Sequence, residues 1–105
     1  MTPLRKVNLN LLPVLRELLL KRNVSHAARA LNMSQPAVSD ALSRLRHLLH
    51  DELLIPTGRS FVLSALAQRL QPQLEGTLTE LETMLAPVSF DPAHGVGKMR
   101  IATAD

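Results

Sequence analysis

Apolar positions recur at helical spacing in four stretches of the chain, and a short strand-like stretch separates the third from the fourth. In Asn10–Lys21, Leu11, Leu15, Leu18 and Leu19 fall on one face, which predicts a helix. Asn10 is expected to cap it, which places Pro13 in the first turn, where no backbone N–H needs a partner. Lys21 and Arg22 close it at the end where the helix dipole favours cations. A shorter helix is predicted from a Ser25 cap to Leu31, with Ala27, Ala28 and Leu31 as a close apolar face. Asn32-Met33 ends it in a tight turn, since Asn tolerates the left-handed conformation. The third helix has the clearest boundaries: Ser34 caps it, Gln35 and Pro36 open it, and Val38, Ala41, Leu42, Leu45, Leu48 and Leu49 form one stripe. Gln35, Ser39, Asp40, Ser43, Arg44, Arg46 and His47 lie opposite.

Between Glu52 and Leu63 the pattern changes. Leu53–Ile55 and Phe61–Leu63 read as short strands around Thr57-Gly58-Arg59, a hairpin whose Pro56 restricts the first strand to an edge. A long helix is predicted from Ser64, with Leu66, Leu70, Leu74, Leu78, Leu81 and Leu85 at steps of three or four residues. Pro72 should bend it near its first turns, and Pro87 should stop it. Residues 89–97 read as a linker. Residues 98–103 alternate like a strand that has no partner here, so the chain reads as the front of something longer. The expected division is a head over 1–63, a linker helix over 64–87, and a hinge over 88–105 that leads into a further domain.

Composition narrows the function classes. The 105 residues include no Cys, no Trp, no Tyr and only 2 Phe. A disulfide framework, a thiolate zinc site and a cysteine nucleophile are therefore excluded, and base-stacking recognition of single strands is disfavoured. No run approaches the length of a membrane span and the start lacks a signal-peptide pattern, so a soluble cytoplasmic protein is expected. Residues 1–69 carry ten basic against four acidic side chains, whereas 70–105 carry two against five. The basic part is the natural partner for a polyanion.

Two short helices joined by a tight turn suggest a helix-turn-helix, which places the N-terminal part of its second helix at base edges in the major groove. Gln35, Ser39 and Ser43 follow one another at four-residue steps on the free face, and both residue types can hydrogen-bond to bases. Ser34 and the helix start can hold a phosphate. The plainer reading makes Ser34-Gln35 only a surface cap. His47, His50 and Asp51 have no third ligand of similar quality and read as solvated side chains. No nucleophile, base and orienter come together in the pattern, and no glycine-rich phosphate loop appears, so no enzyme is expected.

These residues carry a family resemblance. Ala27-Ala28, then Leu31-Asn32-Met33-Ser34-Gln35-Pro36-Ala37-Val38-Ser39, with Leu42, Leu45 and Leu49, closely resembles the LysR-type transcriptional regulators. Asp51–Leu54, Gly58-Arg59 and Val62–Ser64 extend the likeness over about residues 7–86. Leu9–Leu12 and Asp51–Leu54 look most like the nodulation-regulator branch. The resemblance implies an all-α winged helix-turn-helix with a small β-hairpin wing, followed by a long dimerisation helix. It implies base contacts from Gln35, Pro36 and Ser39, to which the pattern adds Ser43. Backbone contacts fall to Ser34, Arg44 and Arg46, and the wing contact to Arg59. It also implies a homodimer, or a tetramer of the full-length protein, on a double-stranded operator with two half-sites. No cofactor is expected in this chain, and a small-molecule effector is implied for the domain beyond it. Three positions depart from the family pattern. Leu54 and Pro56 replace a common aromatic and arginine, Asp40 would repel phosphate if it faced DNA, and Ala67 replaces a common glycine.

The stripe from Leu66 to Leu85 is expected to be a dimer interface, because the three preceding helices look too short to cover six leucines. The alternative is a dimeric protein-interaction scaffold with only non-specific polyanion affinity. Salt and sequence dependence of DNA binding separates the two.

Overall fold

The computed structural model describes residues 3–87, so the predicted linker and strand beyond them lie outside the described residues. After a single 3-10 turn at Leu4–Lys6 come α1 (Leu11–Lys21), α2 (Val24–Leu31), α3 (Gln35–Leu49), β1 (Leu54–Thr57), β2 (Ser60–Leu63) and α4 (Ala65–Leu85).

The apolar stripes of the first three helices meet in one core. Val14, Leu15, Leu18 and Leu19 of α1 pack with Ala27 and Ala28 of α2 and with Val38, Ala41, Leu42 and Leu45 of α3. The two alanines have small side chains, so α2 can lie close to both neighbours. Leu11 sits at the edge of this core and is only partly buried, while Val14 takes the central place. Leu53, Leu54 and Ala67 close the bottom of the core.

The caps show how the chain turns. Ser34 caps α3 as expected, its Oγ accepting from the Ala37 N–H at 3.3 Å, and Asn32 ends α2 in the left-handed region (φ 56°). The Asn32 and Met33 N–H groups bond back to Arg29 and Ala28, which satisfies the free carbonyls of the last turn. Two expected caps are corrected. Asn10 is already helical and caps nothing; its N–H donates to Asn8 Oδ1 at 3.0 Å. Asn23, not Ser25, caps α2, with its Oδ1 accepting from His26 N–H at 2.9 Å. The left-handed Arg22 (φ 52°) ends α1 and leaves Asn23 extended, so the helix begins one residue later, before Ser25 is reached.

The wing is a two-stranded antiparallel hairpin in which Thr57 pairs with Ser60 and Leu54 with Leu63. Of the two loop residues, Gly58 has φ 61° and Arg59 is not in the positive region, the pattern of a type II′ turn. Pro56 pairs with Phe61, one step from the hydrogen-bonded closing pair, so its missing N–H falls at a non-hydrogen-bonded position of the ladder.

The corner before the wing is held from several sides. Leu53 is fully buried with φ 67°, and Leu54 N–H bonds to Glu52 O at 2.7 Å, which makes a γ-turn centred on Leu53. Leu53 N–H bonds to Asp51 Oδ2 at 2.8 Å, and Ser64 N–H to Leu53 O at 2.9 Å. Such a conformation persists only where its surroundings over-determine it. Ser64 then caps α4 by accepting from Ala67 N–H at 3.0 Å. Ala67, fully buried, puts its methyl group into the core.

Candidate nucleic-acid interface

The starts of α2 and α3 lie on the same side of the head. Ser25 Oγ donates to Gln35 Oε1 at 3.1 Å, linking them directly. Along α3 from this point, Gln35, Pro36, Ser39 and Ser43 are all exposed, while Val38, Ala41, Leu42 and Leu45 hold the opposite face in the core. The structure thus brings the four predicted base-contact residues onto one open face of one rigid helix. Asp40 lies on the same helix, but Arg44 Nε meets its Oδ2 at 3.0 Å. This i,i+4 pair offsets the carboxylate locally, and Arg44, a predicted backbone contact, stays exposed within it. Ser34 is the α3 cap, at the position where a phosphate would meet the free N–H groups of the first turn.

Arg46 is not where the sequence reading put it. Its Nε donates to Glu52 O at 2.7 Å and its second guanidinium nitrogen donates to Leu54 O at 3.0 Å. The planar fork bridges two carbonyls of the γ-turn corner and binds α3 to the base of the wing. Two of its five donors are used inside the fold, so Arg46 acts as a bracket between α3 and the wing.

At the wing tip, exposed Arg59 lines a cleft of about 330 Å³ together with Lys21, Arg22, Asn23 and His26. Among the described residues no carboxylate lies within ion-pair distance of Lys21, Arg22 or Arg59. The sequence reading took Lys21 and Arg22 as partners of the α1 dipole and missed this grouping. No sequence signal marks it: the left-handed end of α1 that turns Arg22 out beside the start of α2 is visible only in the fold.

The predicted dimer stripe divides. α1 lies along α4, and Arg16 joins Glu82 across the two helices at 3.1 Å. Leu78 is only 5% exposed within the single chain, and Leu74 packs on the core. Leu78 is therefore corrected: it is already buried within the single chain, on the helix along which α1 lies. Leu66, Leu70 and Leu81 are partly buried and Leu85 is 75% exposed. An open apolar cleft of about 210 Å³ runs between α1, α3 and α4, with Leu12, Leu48, Leu49, Leu70 and Leu74 among its walls. His47 and His50 stand with ring centroids 6.2 Å apart. Among the described residues, no helix is long and apolar enough to cross a membrane.

An exposed helix start beside a wing, on a three-helix core, defines a winged helix-turn-helix. Residues 9–68 match the lysR family of bacterial regulatory helix-turn-helix proteins, and the chain belongs to that family. Among curated relatives it is 40% identical over 100 residues to nodulation protein D 3 of Mesorhizobium japonicum, covering 94% of this chain and 33% of the relative. It is 42% identical over 100 residues to nodulation protein D 2 of Bradyrhizobium diazoefficiens, covering 94% of this chain and 30% of the relative. The chain therefore spans about a third of the length of the curated relatives it matches. A probable transcriptional regulator from Pseudomonas aeruginosa shares the fold with a TM-score of 0.73 and 39% identity, over 78% of this chain and 27% of the other. The BenM DNA-binding domain, solved with catB site 1 DNA, superposes with a TM-score of 0.69 at 19% identity, over 75% of this chain and 89% of the other, and so shows the fold alone.

Proposed function

We propose that this chain is the DNA-reading head of a transcriptional regulator and binds double-stranded DNA sequence-specifically. The observation that carries this reading is the open N-terminal face of α3, where Gln35, Pro36, Ser39 and Ser43 stand together inside the family-matched region. Set into a major groove, that face puts an amide and two hydroxyls at base edges. Arg59, on the wing, enters or borders the adjacent minor groove. Lys21 and Arg22 beside it, and Ser34 and Arg44 along α3, face the phosphates. The BenM domain, which shares this fold, was solved with DNA, and this supports double-stranded DNA as the partner.

The head works as a homodimer on an operator of two half-sites, with Leu66, Leu70, Leu81 and Leu85 of α4 and the apolar cleft beside them as the contact, and a longer protein carrying it can assemble further into tetramers. Such a protein acts in the cytoplasm, where its DNA is. The chain needs no cofactor of its own, and a small-molecule effector acts on a domain beyond it. Selection of binding sites from random DNA, followed by sequencing, tests the reading. A recurrent half-site in two copies is the expected result. Binding that follows salt alone, with no enriched sequence, would mean a scaffold with general polyanion affinity.

A further inference from the structure

Ser25 and Gln35 are the residues that join the two helices of the reading head, with Ser25 Oγ donating to Gln35 Oε1 at 3.1 Å. Ser25 is free to do so because Asn23 has taken the cap of α2. An exposed glutamine otherwise presents its amide in either order, since the last side-chain torsion is broad and two-fold. With Ser25 donating to Oε1, the structure holds one of the two orders. Oε1 turns towards α2, and the two N–H donors of Nε2, on the other side of the planar amide, turn away from it.

We infer that Ser25 is a specificity-determining residue that acts through Gln35, holding its amide so that a donor faces a base acceptor such as a purine N7. The second lone pair of Oε1 is then placed to accept from an adjacent amino group, the combination that adenine offers. This rests on the proposed role of Gln35 in base reading. One intramolecular hydrogen bond of this kind accounts for a change of about two- to tenfold in preference between bases.

The test uses the whole chain and duplexes that carry the selected half-site or its single-base variants. These are titrated against Ser25→Ala, Ser25→Thr, Gln35→Ala and the Ser25→Ala/Gln35→Ala double variant. Alanine is a good helix former and the Asn23 cap is untouched, so α2 should remain folded. Ser25→Ala should lower discrimination about two- to tenfold at the base pair that Gln35→Ala affects, and nowhere else. Ser25→Thr, which keeps the hydroxyl, should retain it. Adding Ser25→Ala to Gln35→Ala should change base preference no further. An equal loss of affinity on every duplex would make Ser25 a phosphate contact and overturn the inference. A change with Gln35→Ala but none with Ser25→Ala overturns it while leaving Gln35 as a base reader. No change with Gln35→Ala overturns both. A readout without DNA is the pair of Gln35 side-chain amide resonances in the free chain: they should move in Ser25→Ala and stay in Ser25→Thr, and resonances that do not move in Ser25→Ala mean the bond is not made.

Discussion

Ser64 Oγ donates to Asp51 Oδ2 at 2.5 Å, and through this bond the end of α3 meets the start of α4. The same carboxylate oxygen accepts from Leu53 N–H, and the same hydroxyl accepts from Ala67 N–H. One node thus fixes the γ-turn corner, caps α4 and sets where α4 departs from the head. Ser64→Ala removes the cap and one partner of the carboxylate. It should lower stability by about 1–2 kcal/mol, read as a shifted urea midpoint with an unchanged slope.

Arg46→Ala should behave as a fold variant. It frees two carbonyls at a strained corner, so a loss of about 1–3 kcal/mol in urea unfolding is expected. Lysine should not restore it, because one ammonium group cannot replace a planar fork bridging two acceptors. The salt slope of DNA binding should stay near that of the parent chain. Arg44→Ala should instead reduce that slope by about one with little effect on folding.

Leu78 and Leu85 should separate the two halves of the α4 stripe. Leu78→Ala empties a buried site within one chain and should cost about 2–5 kcal/mol whatever the protein concentration. Leu85→Asp changes an exposed position, so it should weaken self-association in sedimentation while leaving the unfolding of the head alone. Equal effects of both substitutions on sedimentation would return Leu78 to the interface.

Arg59→Ala should weaken binding and reduce any preference for A·T-rich flanks, because a narrow minor groove concentrates negative potential around an inserted arginine. Equal loss on all flanks would make Arg59 a phosphate contact, the role proposed for its neighbours Lys21 and Arg22.

The Arg16–Glu82 pair should be a weak link between α1 and α4. Hydrogen bonding to Glu82 raises the Arg16 pKa above its ordinary, already strongly alkaline value. A raised pKa gives stability that is fully present below the unfolded-state value and is lost only as the pH climbs past it. Arg16 therefore adds no pH dependence between about pH 6 and pH 9. Arg16→Gln should cost at most about 1 kcal/mol, a cost that shrinks with added salt. A thermal melt series in salt measures it.

Local chemistry made much of the head legible in the sequence. The Ser34 cap, Pro36 in the first turn and the stripe from Val38 to Leu45 point to the same helix, and the structure has it over Gln35–Leu49. Gly58 marked the hairpin, and the Asn32 turn fell in place. What was missed depends on distance. Asn23 and Ser25 are both good caps, and only the direction of the chain leaving α1 selects between them. Arg46 sits among polar positions of its helix, and nothing in a periodic pattern shows that its targets are backbone carbonyls six and eight residues on. Periodicity gives the apolar face of α4 but not which of its leucines are buried within their own chain, as Leu78 is. The basic cleft joins Arg22 to Arg59, two residues whose proximity exists only after the fold forms.

Arg22 sets charge against stability in this cleft. Its left-handed φ of 52° is a conformation that glycine adopts without strain and a bulky residue adopts at a cost of about 1 kcal/mol. Arg22→Gly should thus make the head more heat-resistant while weakening its hold on DNA. Arginine at a position where glycine is the more stable choice gives up some robustness for a charge beside the wing. In a breeding experiment that rewarded only thermal survival, this position would be among the first to change, and the regulator would lose grip as it gained endurance.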